Sequence, residues 1–409
     1  MDSVKQAWIV NHYALPPEQS GGTRHYNLAS LMYEHGIEST IFASNINYST
    51  GENLRDVGPD GYMENKEGNT RFIWLKAKPY SGNSLGRLLN MIDYSIKVTN
   101  PKISNRLPPP DIIIGSSPHL FAALSAYLLS RKYKVPFALE VRDIWPKSMI
   151  SLMGVSRFHP LMILLSIIEK FLYKRASLVI GLLQGVGNHA EKVIGRPIPW
   201  MWVPNGVALE NYPETSFLTK NDVFNVVYTG AHGIPNSLDT ALDAALILQE
   251  IGEDRIHFNF TGDGVNKPEL IRIASEKGLR NVKFFKPVPK SSIPSILSNA
   301  DALLLLFKQT DLYHDGLSPN KMFDYLAASR PVIMAVDSPH DPVAQANAGV
   351  SIPPEDPQAL ADAILHLSKL PAAERQAMGE RGRAYVMEHH DMKGLAAKLA
   401  NALHVLAGK

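Results

Sequence analysis

A lysine lies in the first turn of a predicted helix within GLSPNKMFDYLAASRPV, residues 316–332. Ser318 fits the N-cap and Pro319 the first helical position, which places Lys321 at the positive end of the helix dipole. A cation there costs up to about 1 kcal/mol, and a salt bridge to Asp324 would return at most about 0.5 kcal/mol. A bound diphosphate would make the dipole, the backbone N–H groups and the ammonium all favourable. The stretch therefore predicts an anion site at Lys321, with Asp324 one turn deeper to accept two ribose hydroxyls.

Two glycine-containing turns follow predicted strands in the second half of the chain. They read YTGAHGIPN and TGDGVNKPEL, and they contain Gly230, Gly233, Gly262 and Gly264. Glycine lets a ligand approach the backbone closely, and open α/β sheets bind ligands beyond the carboxyl ends of their strands. Together the turns predict a nucleotide pocket. FKPVP follows a third strand, and the backbone of Val288 could pair there with a base edge.

Polar residues also follow two predicted strands in the first half of the chain. Gly22 precedes a helix that starts with Arg24 and His25, and this turn is either a plain tight turn or an anion site. Arg142 and Asp143 follow the strand PFALE. Neighbouring residues of a strand point to opposite faces, so we expect one of the two to face a ligand rather than to pair with the other. Asp143 could orient a hydroxyl or accept its proton.

What the sequence lacks excludes several classes of chemistry. The chain has 409 residues and no cysteine, which rules out disulfides, thiolate metal sites and cysteine nucleophiles. No HExxH, GxSxG or GxxxxGK[ST] pattern occurs, so a zinc protease, a serine hydrolase and a P-loop enzyme are not expected. The net charge of +2 gives no reason to expect a nucleic acid partner. Because no signal peptide and no apolar run of about 18 residues occur, a cytoplasmic location is expected.

Apolar runs alternate with helical patterns and predict an α/β protein with two doubly wound parallel-sheet domains. Most predicted strands are continuously apolar, as in strands covered on both faces. The predicted N-terminal domain spans 1–205, a linker 206–222, and the C-terminal domain 223–385. Residues 386–409 are predicted to form a helix that packs back toward the N-terminal domain. Residues 45–70 are predicted to be a loop.

The order of these features resembles the family 4 retaining glycosyltransferases of the GT-B fold. The resemblance covers nearly the whole chain and rests on GGTRHY, EVRDIWP, WVPNGV, the YTG and TGDG turns, and SPNKMFDYLAASRPVI. The SPNK block together with VRDIWP is most similar to the bacterial WbuB-like fucosaminyltransferases of O-antigen and capsule assembly. The resemblance implies two Rossmann-like domains facing across a cleft, with the acceptor on the N-terminal domain and a nucleotide-sugar on the C-terminal one.

The same resemblance implies the reaction and its participants. An N-acetylated or deoxy amino sugar would pass from a UDP-sugar to a saccharide or polyprenyl-diphosphate-linked acceptor, with retention of configuration and without a metal or other cofactor. Asp143 and Lys321 would be catalytic, and Arg24, His25 and Arg142 would lie on the acceptor side. The residues expected to bind the donor are Gly22, Gly233, Gly262, Val288, Ser318, Asn320, Lys321 and Asp324.

The sequence departs from the family pattern at the donor site. The family often has two glutamates eight residues apart, whereas this chain has Asp324 at the second position and Gly316 at the first, with Asp315 beside it. The Arg and Lys that many members carry after the first strand of the second domain are missing, because this loop reads AHGIPN. Two alternatives therefore stay open: a GT-B epimerase that acts on a nucleotide-sugar alone, and a non-catalytic protein that binds a nucleotide-sugar or glycan.

Basic residues beside apolar helical segments suggest peripheral contact with the inner face of a membrane. Arg131, Lys132 and Lys134 form a cluster, and Arg87 and Lys97 flank LLNMIDYSI. Basic residues near a bilayer attract anionic lipid by about 1 kcal/mol each. The alternative is an ordinary solvated face.

Overall fold

The structure, a computed structural model, describes the chain in five segments: 4–19, 22–48, 51–78, 85–213 and 223–408. The chain divides into two compact units. Unit 1 comprises Met1–Pro204 and Met392–Lys409, and unit 2 comprises Asn205–Asp391. The predicted C-terminal segment 386–409 is thus divided between the units after Asp391.

Unit 1 is built on an eight-stranded sheet. Its strands are β1 (Lys5–Val10), β2 (Ile37–Ser44), β3 (Tyr62–Glu67), β4 (Thr70–Leu75), β5 (Ile112–Ser116), β6 (Phe137–Val141), β7 (Leu178–Gly181) and β8 (Trp200–Trp202). They lie in the order β3-β4-β2-β1-β5-β6-β7-β8, and only β3 is antiparallel to its neighbour. The strand order reverses between β1 and β5, which is where doubly wound sheets bind their ligands.

Unit 2 is built on a six-stranded parallel sheet. Its strands are β9 (Phe224–Thr229), β10 (Ile256–Thr261), β11 (Val282–Phe285), β12 (Ala302–Leu306), β13 (Val332–Ala335) and β14 (Gly349–Ile352). They lie in the order β11-β10-β9-β12-β13-β14. The order reverses between β9 and β12, so the carboxyl ends of these two strands are the expected ligand edge of this unit.

Helices cover both faces of each sheet. Those of the described segments are α1 (Arg24–Met32), α2 (Leu85–Val98), α3 (Pro101–Ser104), α4 (Leu120–Tyr133), α5 (Lys147–Met153), α6 (Pro160–Arg175), α7 (Val186–Ile194), α8 (Leu238–Glu250), α9 (Lys267–Glu276), α10 (Ile293–Ser298), α11 (Asn320–Ala327), α12 (Pro342–Ala346), α13 (Pro357–Lys369), α14 (Ala372–His389) and α15 (Met392–Ala407). In unit 1, one core packs α2, α4 and α6 against the sheet, and a second packs α1 and α15 against the other face. In unit 2 the two cores involve α8 with α13 and α11 with α14.

The predicted fold class is confirmed, because each unit has a parallel sheet with helices on both faces. The predicted loop over 45–70 is wrong in part, since β3 forms there. Its side chains alternate between half-buried and exposed, so this edge strand lacks the apolar run that marks the others. Of the predicted linker, Val207 is bridged to Asp391 and Tyr212 is buried, whereas 214–222 lie outside the described residues.

Candidate functional site

The start of α11 faces the turn that follows β9. Lys321 is the second residue of the helix, and its Nζ donates to the Tyr228 hydroxyl at 2.8 Å and to the side-chain oxygen of Asn236. The helix is fixed on β9 by Tyr325, whose buried hydroxyl accepts from the N–H of Thr229 at 2.7 Å and donates to the carbonyl of the same residue. The ammonium is therefore held in one place by groups from the strand, the turn and the helix.

Lys321 carries a charge that no acidic side chain balances. Among the described residues, no carboxylate lies within salt-bridge distance of its Nζ, so the expected alternative of an ion pair with Asp324 is not observed. The side chain is half-buried, and its burial lowers the pKa of its ammonium to about 7. Neutral oxygen partners and a positive helix end leave the site ready for an anion, which would restore the full charge of the lysine.

The residues just before α11 bond differently from the prediction. The N-cap is Pro319 rather than Ser318, and the first helical residue is Asn320. The Ser318 hydroxyl instead accepts the N–H of Asn205 at 3.1 Å, and its carbonyl accepts from the Asn205 side chain. The predicted helix start is thus wrong by one residue, because Ser318 is used to hold the segment that enters unit 2.

Asp324 lies one turn into α11, as predicted, and is half-buried. Its Oδ1 accepts the hydroxyl of Tyr212 at 2.8 Å. Burial raises the pKa of the Asp324 carboxyl, while the bond from Tyr212 and the charge of Lys290 oppose that rise. Tyr212 therefore orients the carboxylate through one oxygen, and the second oxygen can accept from a ligand.

The packing of two turns against each other requires glycine at positions 262 and 264. The carbonyl oxygen of Gly230 lies 1.9 Å from the place where a Cβ of Gly262 would be, and that of His232 lies 2.5 Å from the place for Gly264. The two turns also exchange backbone hydrogen bonds, from Gly230 N–H to Thr261 and from His232 N–H to Asp263. The turn glycines of β9 and β10 thus let the turns interlock. Gly233 differs, because a Cβ there would meet only ordinary contacts.

His232 sits beneath these turns with no solvent exposure. Neither ring nitrogen has a hydrogen-bond partner among the described residues, and the ring lies near Phe260, Phe284 and Tyr228. Burial, aided by the charge of Lys267, lowers the pKa of its imidazole to about 4. His232 is therefore neutral at pH 7 and adds no positive charge to the site.

Gly316 occupies the position at which the family often has a glutamate. It is buried and its φ is +124° with ψ at 176°, a region that is essentially restricted to glycine. A side chain at this position would strain the backbone. The departure from the family pattern therefore coincides with a backbone conformation that a glutamate could adopt only with strain.

A groove with a volume of about 390 Å³ lies on the sheet of unit 2 beside α10. Val288 lines it, together with Asn225, Asn259, Thr261 and Phe285. This volume lies within the range of small-molecule sites. The groove adjoins the turns, because the carbonyl of Thr261 accepts from Gly230 and a Cβ at Gly230 would lie 3.8 Å from Lys321 Nζ.

In unit 1, a buried carboxylate organises the ends of β1, β5 and β6. Glu140 accepts from Arg24 at 3.1 Å, from His25 at 2.6 Å and from the Ser116 hydroxyl at 2.6 Å. Although burial alone would raise it, His25 and Arg24 hold the pKa of Glu140 well below its usual range. Arg24 also donates to the carbonyls of Val203 and Pro204. Arg24 and His25 are thus buried partners of Glu140, which differs from the ligand-facing positions predicted for them.

A pair of histidines lies at the reversal point of the same sheet. His119 caps α4 by accepting the N–H of Ala122 on Nδ1, so its Nε2 carries the proton that it donates to Nδ1 of His12 at 2.8 Å. His12 is stacked between the rings of Tyr94 and Tyr13. Burial lowers the pKa of both imidazoles, that of His119 to about 3. The pair is neutral at pH 7, and both ring nitrogens of His119 are used within the protein.

Arg142 and Asp143 lie just beyond β6, as predicted. The N–H of Arg142 bonds to the Ser117 hydroxyl at 3.3 Å, and its charge lowers the pKa of Glu140, so its guanidinium belongs to the same electrostatic cluster. Asp143 reaches solvent, yet the protein atoms crowded around it raise the pKa of its carboxyl.

Gly22 is held tightly, because a Cβ would lie 2.9 Å from the carbonyl of Tyr13. No group of three or more metal-ligating side chains occurs among the described residues.

Comparison with solved structures shows the fold class of the chain. The chain has the GT-B fold, since a sucrose-phosphate synthase from Thermosynechococcus elongatus is similar with a TM-score of 0.75 and 16% identity over 99% of each chain. HepE from Anabaena, solved with UDP and glucose, is similar with a TM-score of 0.68 and 15% identity over 98% of this chain and 100% of its own. A trehalose 6-phosphate synthase from Burkholderia multivorans has a TM-score of 0.73 and 13% identity over 99% and 97%.

Sequence comparisons then identify the family. Residues 21–206 match the glycosyl transferase 4-like domain, and residues 223–369 match the glycosyl transferases of group 1. The chain thus contains both of these glycosyltransferase domains. A relative from Escherichia coli, the proposed colanic acid biosynthesis glycosyl transferase WcaI, is 22% identical over 273 residues. That match covers 64% of this chain and 66% of the relative, just under two thirds of its length.

Several residues of the two sites escape prediction from the sequence. His119 lies three residues after the end of β5, so its position near a strand end in SSPH is a signal for it. Glu140 is signalled by one charge within the apolar run FALEV. Tyr212, Tyr228 and Asn236 carry no local signal, because each acts through a partner distant in sequence.

Proposed function

We propose that this protein is a retaining glycosyltransferase that moves a sugar from a UDP-sugar to a saccharide or lipid-linked acceptor. One observation carries the proposal: the half-buried ammonium of Lys321 at the start of α11 has no acidic partner among the described residues. A nucleoside diphosphate supplies the missing charge, and departing diphosphate is what this site would stabilise during transfer. The groove beside Val288 accepts the base, and Asp324 accepts the ribose hydroxyls.

The identity of the sugar and of the product rests on similarity. HepE is named in complex with UDP and glucose, and WcaI is named for colanic acid biosynthesis. These names support a UDP-sugar donor and a role in bacterial surface polysaccharide assembly. The resemblance to WbuB-like fucosaminyltransferases further supports an N-acetylated or deoxy amino sugar, and a polyprenyl-diphosphate-linked acceptor at the inner membrane.

The chemistry would run without a metal. As the bond between the sugar and the diphosphate breaks, negative charge grows on the phosphate oxygens, where Lys321 and the first N–H groups of α11 lie. A donor phosphate oxygen on the same face of the sugar would take the acceptor proton, which gives retention. Asp143 would orient the acceptor hydroxyl for this transfer.

Calorimetric titration with UDP tests this assignment. The pKa of Lys321 without a bound nucleotide is about 7. If UDP binds only to the charged form of Lys321, its affinity should fall as the pH rises above 7, by up to about tenfold per pH unit. Lys321→Met should bind UDP more weakly and lose this pH dependence, and its thermal stability should be unchanged or higher because a buried charge is removed.

The matched control is Lys277→Met, since Lys277 lies in unit 2 with Asp243 3.0 Å away. It should bind UDP as the unmodified protein does. Normal UDP binding and sugar transfer by Lys321→Met would contradict the phosphate role of Lys321.

Gly316 favours one alternative, a nucleotide-sugar-binding protein without transfer activity. The glycine leaves no acid at the position where many relatives have one, so the sugar hydroxyls have fewer protein partners. Slow hydrolysis of a UDP-N-acetylhexosamine without acceptor would argue against this alternative. Appearance of a different free or UDP-linked sugar in the same incubation would instead support an epimerase.

A further inference from the structure

An apolar stripe runs along the solvent side of α2. Its four members have spacings of four, three and four residues, which place them on one face of the helix. They are Leu85, Leu89, Ile92 and Ile96, with exposed fractions of 70%, 57%, 37% and 66%. The opposite side of α2, with Tyr94 and Val98, is buried in the core of unit 1. Hydrophobic residues thus occupy both sides of this helix, and the core explains only one.

The neighbouring helices continue the apolar surface. α4 packs against α2 on one side and α6 on the other, so the three helices form a layer on one face of the sheet. Leu128 of α4 is 52% exposed. The exposed apolar residues at and before α6 are Phe158, Ile163, Leu164 and Ile167, with exposed fractions of 71%, 47%, 47% and 62%. Contiguous apolar surface of this kind marks an interaction site.

The charges of this layer are strongly unbalanced. The basic residues of α2, α4 and α6 are Arg87, Lys97, Arg131, Lys132, Lys170, Lys174 and Arg175. The acidic ones are Asp93 and Glu169, and Glu169 is buried against His189. Arg87 acts on the buried His12 and His119. The other six basic residues and the two acidic ones leave the layer with four positive charges, although the whole chain has a net charge of only +2. The exposed apolar layer therefore also carries an excess of positive charge.

We propose that the outer face of α2, α4 and α6 docks on the surface of a bilayer that contains anionic lipid. Apolar side chains enter the boundary between headgroups and acyl chains, and lysine and arginine bind the headgroup phosphates. Among the described residues no helix is long and apolar enough to cross a membrane, so this is a contact in the plane of the interface. Anionic lipid fits the layer better than a protein partner, because interface cores are depleted in lysine.

Membrane docking by this layer deepens the proposed function, and only the reason for docking rests on that function. A lipid-linked acceptor lies in a membrane, and the layer that we assign to the membrane belongs to unit 1, the unit proposed to bind the acceptor. The exposure and the charge of the layer do not depend on which sugar is transferred.

Flotation of the full chain with lipid vesicles tests the docking face. We expect the chain to bind vesicles that contain both phosphatidylglycerol and phosphatidylcholine, and to bind vesicles of phosphatidylcholine alone more weakly. High salt should weaken binding to the vesicles that contain phosphatidylglycerol. The combined substitutions Leu89→Gln, Ile96→Gln and Ile167→Gln should lower the partition coefficient by about tenfold or more, because each removes an apolar side chain from the interface. Arg131→Gln with Lys174→Gln should reduce the preference for phosphatidylglycerol.

The control combines Ile251→Gln, Met387→Gln and Val405→Gln. These residues lie outside the layer and have exposed fractions of 59%, 60% and 62%, which match those of the three test positions. The control should bind vesicles normally. Equal binding by the test variant, or an equal loss in the control, would overturn the assignment.

Two further measurements separate the remaining outcomes. Sedimentation of the unmodified chain without lipid reports whether it self-associates. If the unmodified chain forms an oligomer that the test variant does not form, and if it does not bind vesicles, the layer is a protein interface and the proposal is overturned. UDP titration of the test variant should be normal, because its substitutions are remote from Lys321 in sequence and lie in unit 1. Vesicle binding without UDP binding would leave the docking face standing and contradict the proposed function.

Discussion

At the scale of a single residue, Asp324 allows the role of a carboxylate in donor recognition to be isolated. Its Oδ1 accepts from Tyr212 at 2.8 Å, and its second oxygen is proposed to accept from ribose. Asp324→Asn should weaken UDP binding by about tenfold or more, because hydrogen bonds to a charged group contribute about 1.5–3 kcal/mol. Calorimetry with UDP measures this change directly.

The matched ligand for this prediction is 2′,3′-dideoxyuridine diphosphate, which lacks both ribose hydroxyls. The unmodified protein and Asp324→Asn should bind it with similar affinity. If the substitution weakened both nucleotides equally, the carboxylate would act on the fold of α11 rather than on the ribose. Tyr212→Phe then shows how much of the effect depends on the orientation of the carboxylate.

At the scale of elements, the turns after β9 and β10 behave as one interlocked unit. Gly262→Ala should lower the free energy of unfolding by about 3 kcal/mol or more, because its φ is +146° and its Cβ would lie 1.9 Å from the Gly230 carbonyl oxygen. Gly233→Ala is the control and should change stability by less than about 0.5 kcal/mol, since its Cβ has room. Urea unfolding of both variants compares them. Similar stability of both variants would contradict the interlocking of the turns.

Local patterns predict the elements of this chain better than the contacts between them. Apolar runs such as DIIIGSS mark buried parallel strands, whereas β3 escapes because it is an edge strand with no such run. The start of α11 is predicted to within one residue. Ser318 is not recognised as a partner of Asn205, because the two lie 113 residues apart. Lys321 is predicted from its conflict with the helix dipole, but its partners Tyr228 and Asn236 depend on how β9 and its turn pack on α11.

At the scale of the whole molecule, buried neutral histidines in both units make stability depend on pH. The pKa is about 3 for His119 in unit 1 and about 4 for His232 and His390 in unit 2, and burial is the main cause in each case. The unfolded chain, with histidine pKa values near 6.5, binds protons that the folded chain does not. The contribution of these histidines to the free energy of unfolding is complete above about pH 6.5. It is lost as the pH falls, by up to roughly 1.4 kcal/mol per pH unit for each histidine. Chemical unfolding between about pH 7 and 5 should show this loss.

His232 allows the contribution of one histidine to be removed without breaking a hydrogen bond. Its ring has no hydrogen-bond partner among the described residues and lies near Phe260 and Phe284, so His232→Phe should keep or raise stability at pH 7. It should also reduce the pH dependence of the unfolding of unit 2 by about one proton. His119→Phe is the contrasting variant, because it loses the bonds to His12 and to the start of α4 and should lower stability even at pH 7. An unchanged pH dependence in His232→Phe would mean that His232 binds as many protons in the folded as in the unfolded protein. The effect of burial on its pKa would then have to be offset by a negative charge, such as that of the neighbouring Asp263.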